Sequence, residues 1–172
     1  ALRRVCKSRG LPFYAALVYG VTKAMERVDA FLYKDRDGVI VKHERLVPSF
    51  TDMRPGSETF HIVTLEAGDS LEEFCRAAKA KSAAQKRFIA NGEWDADELV
   101  YFSCLPWFPV TGFKNERNTD PGDSVPRVTW GRWRDEGGAV TLDLSLELNH
   151  RLLDGVHVGR FYGELTGWIN GL

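Results

Sequence analysis

Val140-Thr141-Leu142-Asp143-Leu144-Ser145-Leu146-Glu147-Leu148-Asn149-His150-Arg151-Leu152-Leu153-Asp154-Gly155 is the stretch that decides the fold. Apolar residues at 140, 142, 144, 146 and 148 alternate with polar ones, the period-two pattern of a strand with one buried face. Continuing that period puts His150 on the apolar face, at the point where the strand runs out. Asp154-Gly155 then turns the chain into a helix that gathers Val158, Phe161, Leu165 and Trp168 on one side. Just upstream, Arg127 to Trp133 and Val140 to Leu148 flank Asp135-Glu136-Gly137-Gly138, a strong hairpin signal.

The same reading extends toward the amino terminus. Pro12 opens a helical pattern in which Phe13, Leu17, Val21, Ala24, Met25 and Val28 recur at helical spacing. Phe31-Leu32-Tyr33 and Val39-Ile40-Val41 read as a hairpin around Asp35-Arg36-Asp37-Gly38, and Leu46 to Thr51 and Thr59 to Leu65 as further strands. Ser70 with Glu73 has the pattern of a capping box, opening a helix that runs to Ile89 and stops at Asn91-Gly92. Leu99 to Cys104 is apolar and aromatic and reads as a buried strand. Gly112 to Pro126 is a polar loop, of a length more often functional than filler in a compact domain. Strands gathered with a few long helices predict an α+β layer fold, a two-layer sandwich of a mixed sheet and helices.

Composition narrows the possible functions. The 172 residues suit a single domain over 1–172, with 44% hydrophobic and 27% charged residues, ordinary for a globular protein. Lys+Arg 23 against Asp+Glu 24 gives a net charge of -1, so no electrostatic feature favours nucleic acid or an acidic membrane. The longest apolar stretch, Leu11 to Val21, is interrupted by Tyr14, Tyr19 and Gly20 and is too short to span a bilayer. Ala1 to Ser8 has no apolar secretion signal. Cys6, Cys75 and Cys104 show neither zinc nor disulfide spacing, which fits reduced thiols in a cytoplasm and no metal.

His150 admits two readings. In one it is a hydrogen-bonded core residue, and Asp154-Gly155 merely makes the turn. In the other it is a general base: acyl transfer to an alcohol needs a hydroxyl proton removed as the oxygen attacks, and neutral imidazole suits that task near pH 7. Burial would favour the neutral form. The same reaction builds negative charge on the carbonyl oxygen, so a preorganised hydrogen-bond donor is required elsewhere in the chain.

His150-Arg151-Leu152-Leu153-Asp154-Gly155, continued by Val156-His157-Val158-Gly159-Arg160-Phe161, resembles the HxxxDG signature of the chloramphenicol acetyltransferase family. Ser57-Glu58-Thr59-Phe60 is similar to that family's TETF block. Ser103-Cys104-Leu105-Pro106-Trp107 with Val110-Thr111-Gly112-Phe113 is similar to its SxxPW stretch. These blocks occur in family order along nearly the whole chain, which favours the catalytic reading. The resemblance implies acetyl-CoA as co-substrate, a small-molecule alcohol as acceptor, and a homotrimer with active sites at subunit interfaces. It implies His150 as the base, Ser103 as donor to the oxyanion, Thr129 beside an ordered water, and Asp154 as a structural carboxylate paired with an Arg. It also places Trp133 near the adenine of CoA, although a solvent-facing hairpin tryptophan is an equal reading of that residue.

Other residues read as structural: His157 as a packing or capping residue, His43 and His61 as partnerless, and Cys104 as a buried free thiol. Two departures from the family pattern bear on the acceptor and the start of the chain. Asn149-His150 stands where drug-inactivating members have His-His, and Lys114-Asn115-Glu116-Arg117 is unusually charged after Phe113. The family's first strand, which carries the Arg that pairs with the Asp, would precede Ala1: either the sequence starts after it or the element is missing, and in the second case Arg151 or Arg160 is the candidate partner of Asp154. A dihydrolipoamide acyltransferase core is the nearest alternative, with a similar His-Arg-x-x-Asp-Gly motif. The Pro106-Trp107 block and Val156 to Phe161 argue against it. The third reading is a noncatalytic module that kept the fold, against which stands the joint presence of His150, Ser103 and Thr129.

Overall fold

A computed structural model describes residues 1–90, 94–116 and 120–172. Its centre is a five-stranded sheet in the order β4-β3-β5-β6-β9, with β3 (Val47–Met53), β4 (Phe60–Thr64), β5 (Leu99–Leu105), β6 (Arg127–Gly131) and β9 (Leu144–Glu147). The middle strands β3, β5 and β6 run parallel, while β4 and β9 are antiparallel to their neighbours. Among the described residues four α-helices join it: α1 (Leu2–Arg9), α2 (Phe13–Glu26), α3 (Leu71–Ala84) and α4 (Gly155–Asn170). The α+β sandwich read from the sequence is the observed architecture.

Alternation along the strands creates two unlike faces. Phe50, Val63, Val100, Phe102, Val128 and Trp130 are all buried and turn toward the helices. α2 lies on this face, and its Tyr14 ring packs against Phe50 and Trp130 at centroid distances of 5.8 and 5.2 Å. α4 packs against α2 through Trp168, whose ring sits over Gly20. A Cβ at position 20 would lie 2.1 Å from the indole, so only glycine permits that contact. The opposite face carries Ser49, Tyr101, Ser103, Thr129, Ser145 and Glu147, and loops cover it in place of helices.

The structure corrects several expected boundaries. Residues 29–32 form a short 3-10 helix and not a strand, because Phe31 and Leu32 are consecutive and both buried, which an alternating strand does not allow. The hairpin begins after it, with β1 (Tyr33–Arg36) and β2 (Val39–Lys42) closed by a two-residue turn. Asp37 and Gly38 in that turn have φ of 53° and 84°, the left-handed pair that matches the twist of two strands. α3 begins at Ser70, whose hydroxyl accepts from Glu73 N at 3.3 Å, and ends at Ala84 rather than at Ile89. Beyond it the chain peels away to the sheet edge, where Ile62 N donates to Phe88 O and Ile62 pairs with Ile89. The expected stop at Asn91-Gly92 lies outside the described residues.

The expected strand from Val140 to Leu148 is two elements. β8 (Ala139–Thr141) pairs with β7 (Arg134–Glu136) beyond the central sheet, and Val140 is exposed there. The break is held by Arg134 to Asp143 at 2.7 Å. Leu142, Leu144, Leu146 and Leu148 still pack on the core, so the period-two reading holds for the inner half only. α1 had no counterpart in the sequence reading. Its buried Leu2 and Cys6 anchor a mostly polar helix that Gly10, at φ 64°, terminates.

Candidate active site

The polar row on the loop-covered face is built by strand register. Ser103 of β5 stands opposite Thr129 of β6, and Thr129 opposite Ser145 of β9. Three hydroxyl side chains thus lie side by side across adjacent strands, each about 5 Å from the next. Ser103 is half-buried and Thr129 is only 1% exposed, although neither faces the helices. The polar loop after Phe113 does the covering. Phe113 N donates to Ser145 Oγ at 3.0 Å and Ser145 Oγ donates back to Phe113 O at 2.9 Å. Asn115 donates to Glu147 Oε1 from both its backbone N and its Nδ2 at 2.6 Å, and Nδ2 also reaches Thr129 Oγ1 at 3.2 Å. The hydroxyl of Thr129 therefore has the Asn115 amide as its partner.

The loop on the other side of Ser103 is fixed by a close approach. Phe108 to Val110 crosses β6 at Gly131, where an added Cβ would meet Phe108 O at 2.5 Å and Val110 N at 2.6 Å. Arg132 N donates to Phe108 O at 2.8 Å. This seats the segment after Pro106-Trp107 beside the sheet, with Trp107 and Phe108 left exposed. Cys104 points to the helix face, and burial pushes its thiol up to about 11. It is protonated at neutral pH, in keeping with a packing role.

His150 stands in contrast. Expected at the buried end of a strand, its side chain is instead 85% exposed, because β9 ends at Glu147 and residues 149–152 already turn. Asn149 pins this turn: its Nδ2 donates to Pro121 O at 2.9 Å and Asp123 O at 3.0 Å, and its Oδ1 accepts from Arg151 N at 3.0 Å. His150 Nδ1 lies 3.4 Å from Asp154 Oδ1. Asp154 is the N-cap of α4, and its backbone N donates to His157 Nδ1 at 2.9 Å, the capping part read for His157.

Asp154 thus faces the imidazole, not the arginine that the resemblance implied. Arg151 is engaged elsewhere, 2.7 Å from the buried carboxylate of Asp35. That pair ties the His150 turn to the β1–β2 hairpin. A cleft of about 730 Å³ opens beside Arg151, Asp35 and Asp123; Ser103 is not among its walls.

Ser103 and His150 do not meet within one chain. Four residues separate Ser145, at the level of Ser103, from His150, and the extended part alone carries the chain about 10 Å along the strand direction. Trp133 lies between β6 and β7 rather than at a hairpin tip. Its ring meets Phe13 edge-on at 5.6 Å, and the Arg3 guanidinium sits 4.8 Å over it. His61 is buried, 3.0 Å from Ser82 Oγ, which donates to Asp52 at 2.5 Å; His43 lies 3.2 Å from Asp97. Both histidines have partners that the sequence did not signal, since those partners come from other elements. The same holds for Asn115, Asn149 and Ser145 around the candidate site. Among the described residues no group of three His, Cys, Asp or Glu side chains is placed to hold a metal ion, and no helix is long and apolar enough to cross a membrane.

Sheet order and helix layer together are those of an acyltransferase fold. A solved chloramphenicol acetyltransferase superposes with a TM-score of 0.83 at 18% identity, over 95% of this chain and 80% of that one. A dihydrolipoamide acetyltransferase of Azotobacter vinelandii superposes less closely, with a TM-score of 0.65 at 17% identity, over 95% and 71%. The chain belongs to the chloramphenicol acetyltransferase family, whose model matches residues 1–166, and so to a family of acyltransferase enzymes. A chloramphenicol acetyltransferase of Campylobacter coli is 28% identical over 167 residues, covering 95% of this chain and 81% of the relative.

Proposed function

We propose that this protein transfers an acetyl group from acetyl-CoA to a hydroxyl of a small-molecule acceptor, with chloramphenicol as the leading candidate. The observation that carries this reading is the family match from residue 1 to residue 166, which takes in every residue given a role here. In the reaction the carbonyl carbon loses its bond to the CoA sulfur and gains one to the acceptor oxygen. The hydroxyl proton passes to His150 and ends on the CoA thiol. Negative charge gathers on the carbonyl oxygen at the tetrahedral stage, and the Ser103 hydroxyl donates to it. Thr129, beside Ser103 and bonded to Asn115, steadies that end of the site, with room in this scheme for an ordered water. Asp154, 3.4 Å from His150 Nδ1, fixes the ring so that Nε2 is the working nitrogen.

An exposed base and a half-buried donor on one chain support a site shared between subunits, with His150 of one facing the Ser103 row of the next. The assembly we propose, as the family resemblance implies, is a homotrimer, and the proposed location is cytoplasmic. Trp133 is the proposed aromatic near the adenine of CoA, and Arg3 beside it supplies a cation within reach of a phosphate. The test is incubation with acetyl-CoA and chloramphenicol, following free thiol colorimetrically. Thiol release that vanishes in His150→Ala supports both reaction and acceptor. Release only with other alcohols discards chloramphenicol, and acetylation of dihydrolipoamide but of no alcohol replaces the reading.

A further inference from the structure

A second cleft, of about 330 Å³, lies where β4 begins, between the 54–60 segment and the chain leaving α3. Three cations line it: Arg54, Lys86 and Arg87. Several cations elsewhere are matched to carboxylates, among them Arg9 to Glu72, Arg36 to Asp95 and Asp97, Lys42 to Asp29, Arg127 to Asp123, Arg134 to Asp143 and Arg151 to Asp35. Among the described residues, none of the three cations in the cleft has a carboxylate partner. The Arg54 guanidinium donates to Gln85 O, which fixes it between the two segments. Ser57 and Thr59 add hydroxyls to the same wall, held 3.1 Å from each other. In a chain of net charge -1, three unmatched cations around one cleft form a localised positive site.

The cleft lies at the β4 edge of the sheet, lined by His61 on the helix side and by Phe60 on the side of the Ser103 row. His61 and Val63 turn to the helices, so Phe60 and Ile62 face the other way, onto the face that carries Ser103. Phe60 stands opposite Met53, one step along from the pair Thr51–Ile62, and the β3–β5 register brings Thr51 to the level of Ser103. Two strand spacings across and two residues along place Phe60 about 12 Å from Ser103. That is the length of one aryl-bearing small molecule. Phe60 and Phe88 form an aromatic pair at 5.3 Å in the cleft wall, half exposed and ready to hold an aromatic ring.

We infer that this cleft is an anion subsite for the acceptor: the alcohol this protein acetylates best carries a carboxylate or phosphate at the end remote from its reacting hydroxyl, with an aromatic or apolar spacer on Phe60 and Phe88. The inference rests on the acyltransferase reading for the position of the reacting hydroxyl at Ser103. Chloramphenicol offers a neutral nitro group at its far end, a planar pair of oxygens with the shape of a carboxylate and none of its charge.

The experiment compares chloramphenicol with its analogue in which carboxylate replaces the aryl nitro group, in the wild type and in Arg54→Gln, Lys86→Gln/Arg87→Gln and Arg87→Lys. The expected kcat/KM for the carboxylate is about tenfold or more above that for the nitro compound. That ratio falls toward one in the glutamine variants and is kept in Arg87→Lys. Equal turnover of the two acceptors by the wild type, or a ratio unmoved by the glutamine variants, overturns the inference. A parallel arm uses 3′-dephospho-acetyl-CoA. If the glutamine variants raise KM for acetyl-CoA but not for the dephospho form, the cluster serves the co-substrate's phosphate and the acceptor assignment falls. If neither acceptor turns over, chloramphenicol-type alcohols are discarded as acceptors, separately from the subsite. Calorimetric binding of the two compounds then judges the subsite: carboxylate binding that Arg54→Gln removes keeps it, and its absence in the wild type ends it.

Discussion

The Ser103–Thr129 row and the His150 turn are the two halves of one proposed site, and the chain builds them in opposite ways. The row sits in the centre of the sheet, its spacing set by backbone register and its cover supplied by Asn115 and Phe113. The turn hangs beyond the end of β9, held by the Asn149 side chain, the Arg151–Asp35 pair and the N-cap of α4. Thr129 is 1% exposed and Ser103 half-buried, while the His150 side chain is 85% exposed. An oxyanion donor works by being fixed before charge develops, which a strand interior ensures. A base open to water lacks the dry, fixed surroundings that acyl transfer needs, which is why the proposed site is one shared with a second subunit.

The largest effect should come from the exposed half. His150→Ala is expected to cut kcat about 10²–10⁴-fold while leaving the thermal midpoint in place, because its close partner among the described residues is a solvent-exposed Asp154. A fall of several degrees in the midpoint would make His150 structural and break the comparison. Ser103→Ala should lower kcat by about 10²–10³ with little change in KM, read from steady-state rates on the folded variant. Mixing the two inactive variants and reassembling them sharpens the comparison further. If sites are shared, about a quarter of them regain both wild-type groups in a random mixture. No recovery of activity would place both groups in one chain.

Two smaller effects concern what supports the turn. Lys34 is buried beneath the acidic cleft, its Nζ 3.3 Å from Ser124 O, and burial lowers its pKa to about 8. Its unfolded value is higher, so between pH 8 and the unfolded range the unfolded chain holds more protons and stability rises with pH. Below pH 8 the folded state bears the cost of the buried charge. Lys34→Met should therefore raise stability at pH 7 by about 1–3 kcal/mol and abolish that pH-dependent rise in denaturant midpoint. Asp154→Asn is expected to lower kcat only a few-fold, since an asparagine still caps α4 and still faces the imidazole. A loss as large as that of His150→Ala would make its charge catalytic.

Much of this fold was legible in the sequence because it rests on local rules. The alternation from Leu142 to Leu148 marks β9's apolar face, the cap at Ser70 marks the start of α3, and the spacing in Phe13–Glu26 marks α2. Errors arose where a neighbour overruled the local pattern. Val140 matches the apolar period yet lies on a hairpin outside the helix cover, and the end of α3 gives way to pairing at the β4 edge. α1 was missed because only Leu2 and Cys6 are buried in a run of charged residues.

The sequence by itself determined the candidate chemistry: a histidine, a serine and a threonine of the right types, embedded in motifs with family spacing. It could not determine their surroundings. That Thr129 is shut away by Asn115, that Asp154 turns to His150 while Arg151 takes Asp35, and that three unmatched cations face one cleft were decided by tertiary structure alone. The physical reason is common to all three. Residue type and local period are written within a few positions of chain, whereas burial and charge pairing are set by partners brought together from segments tens of residues apart.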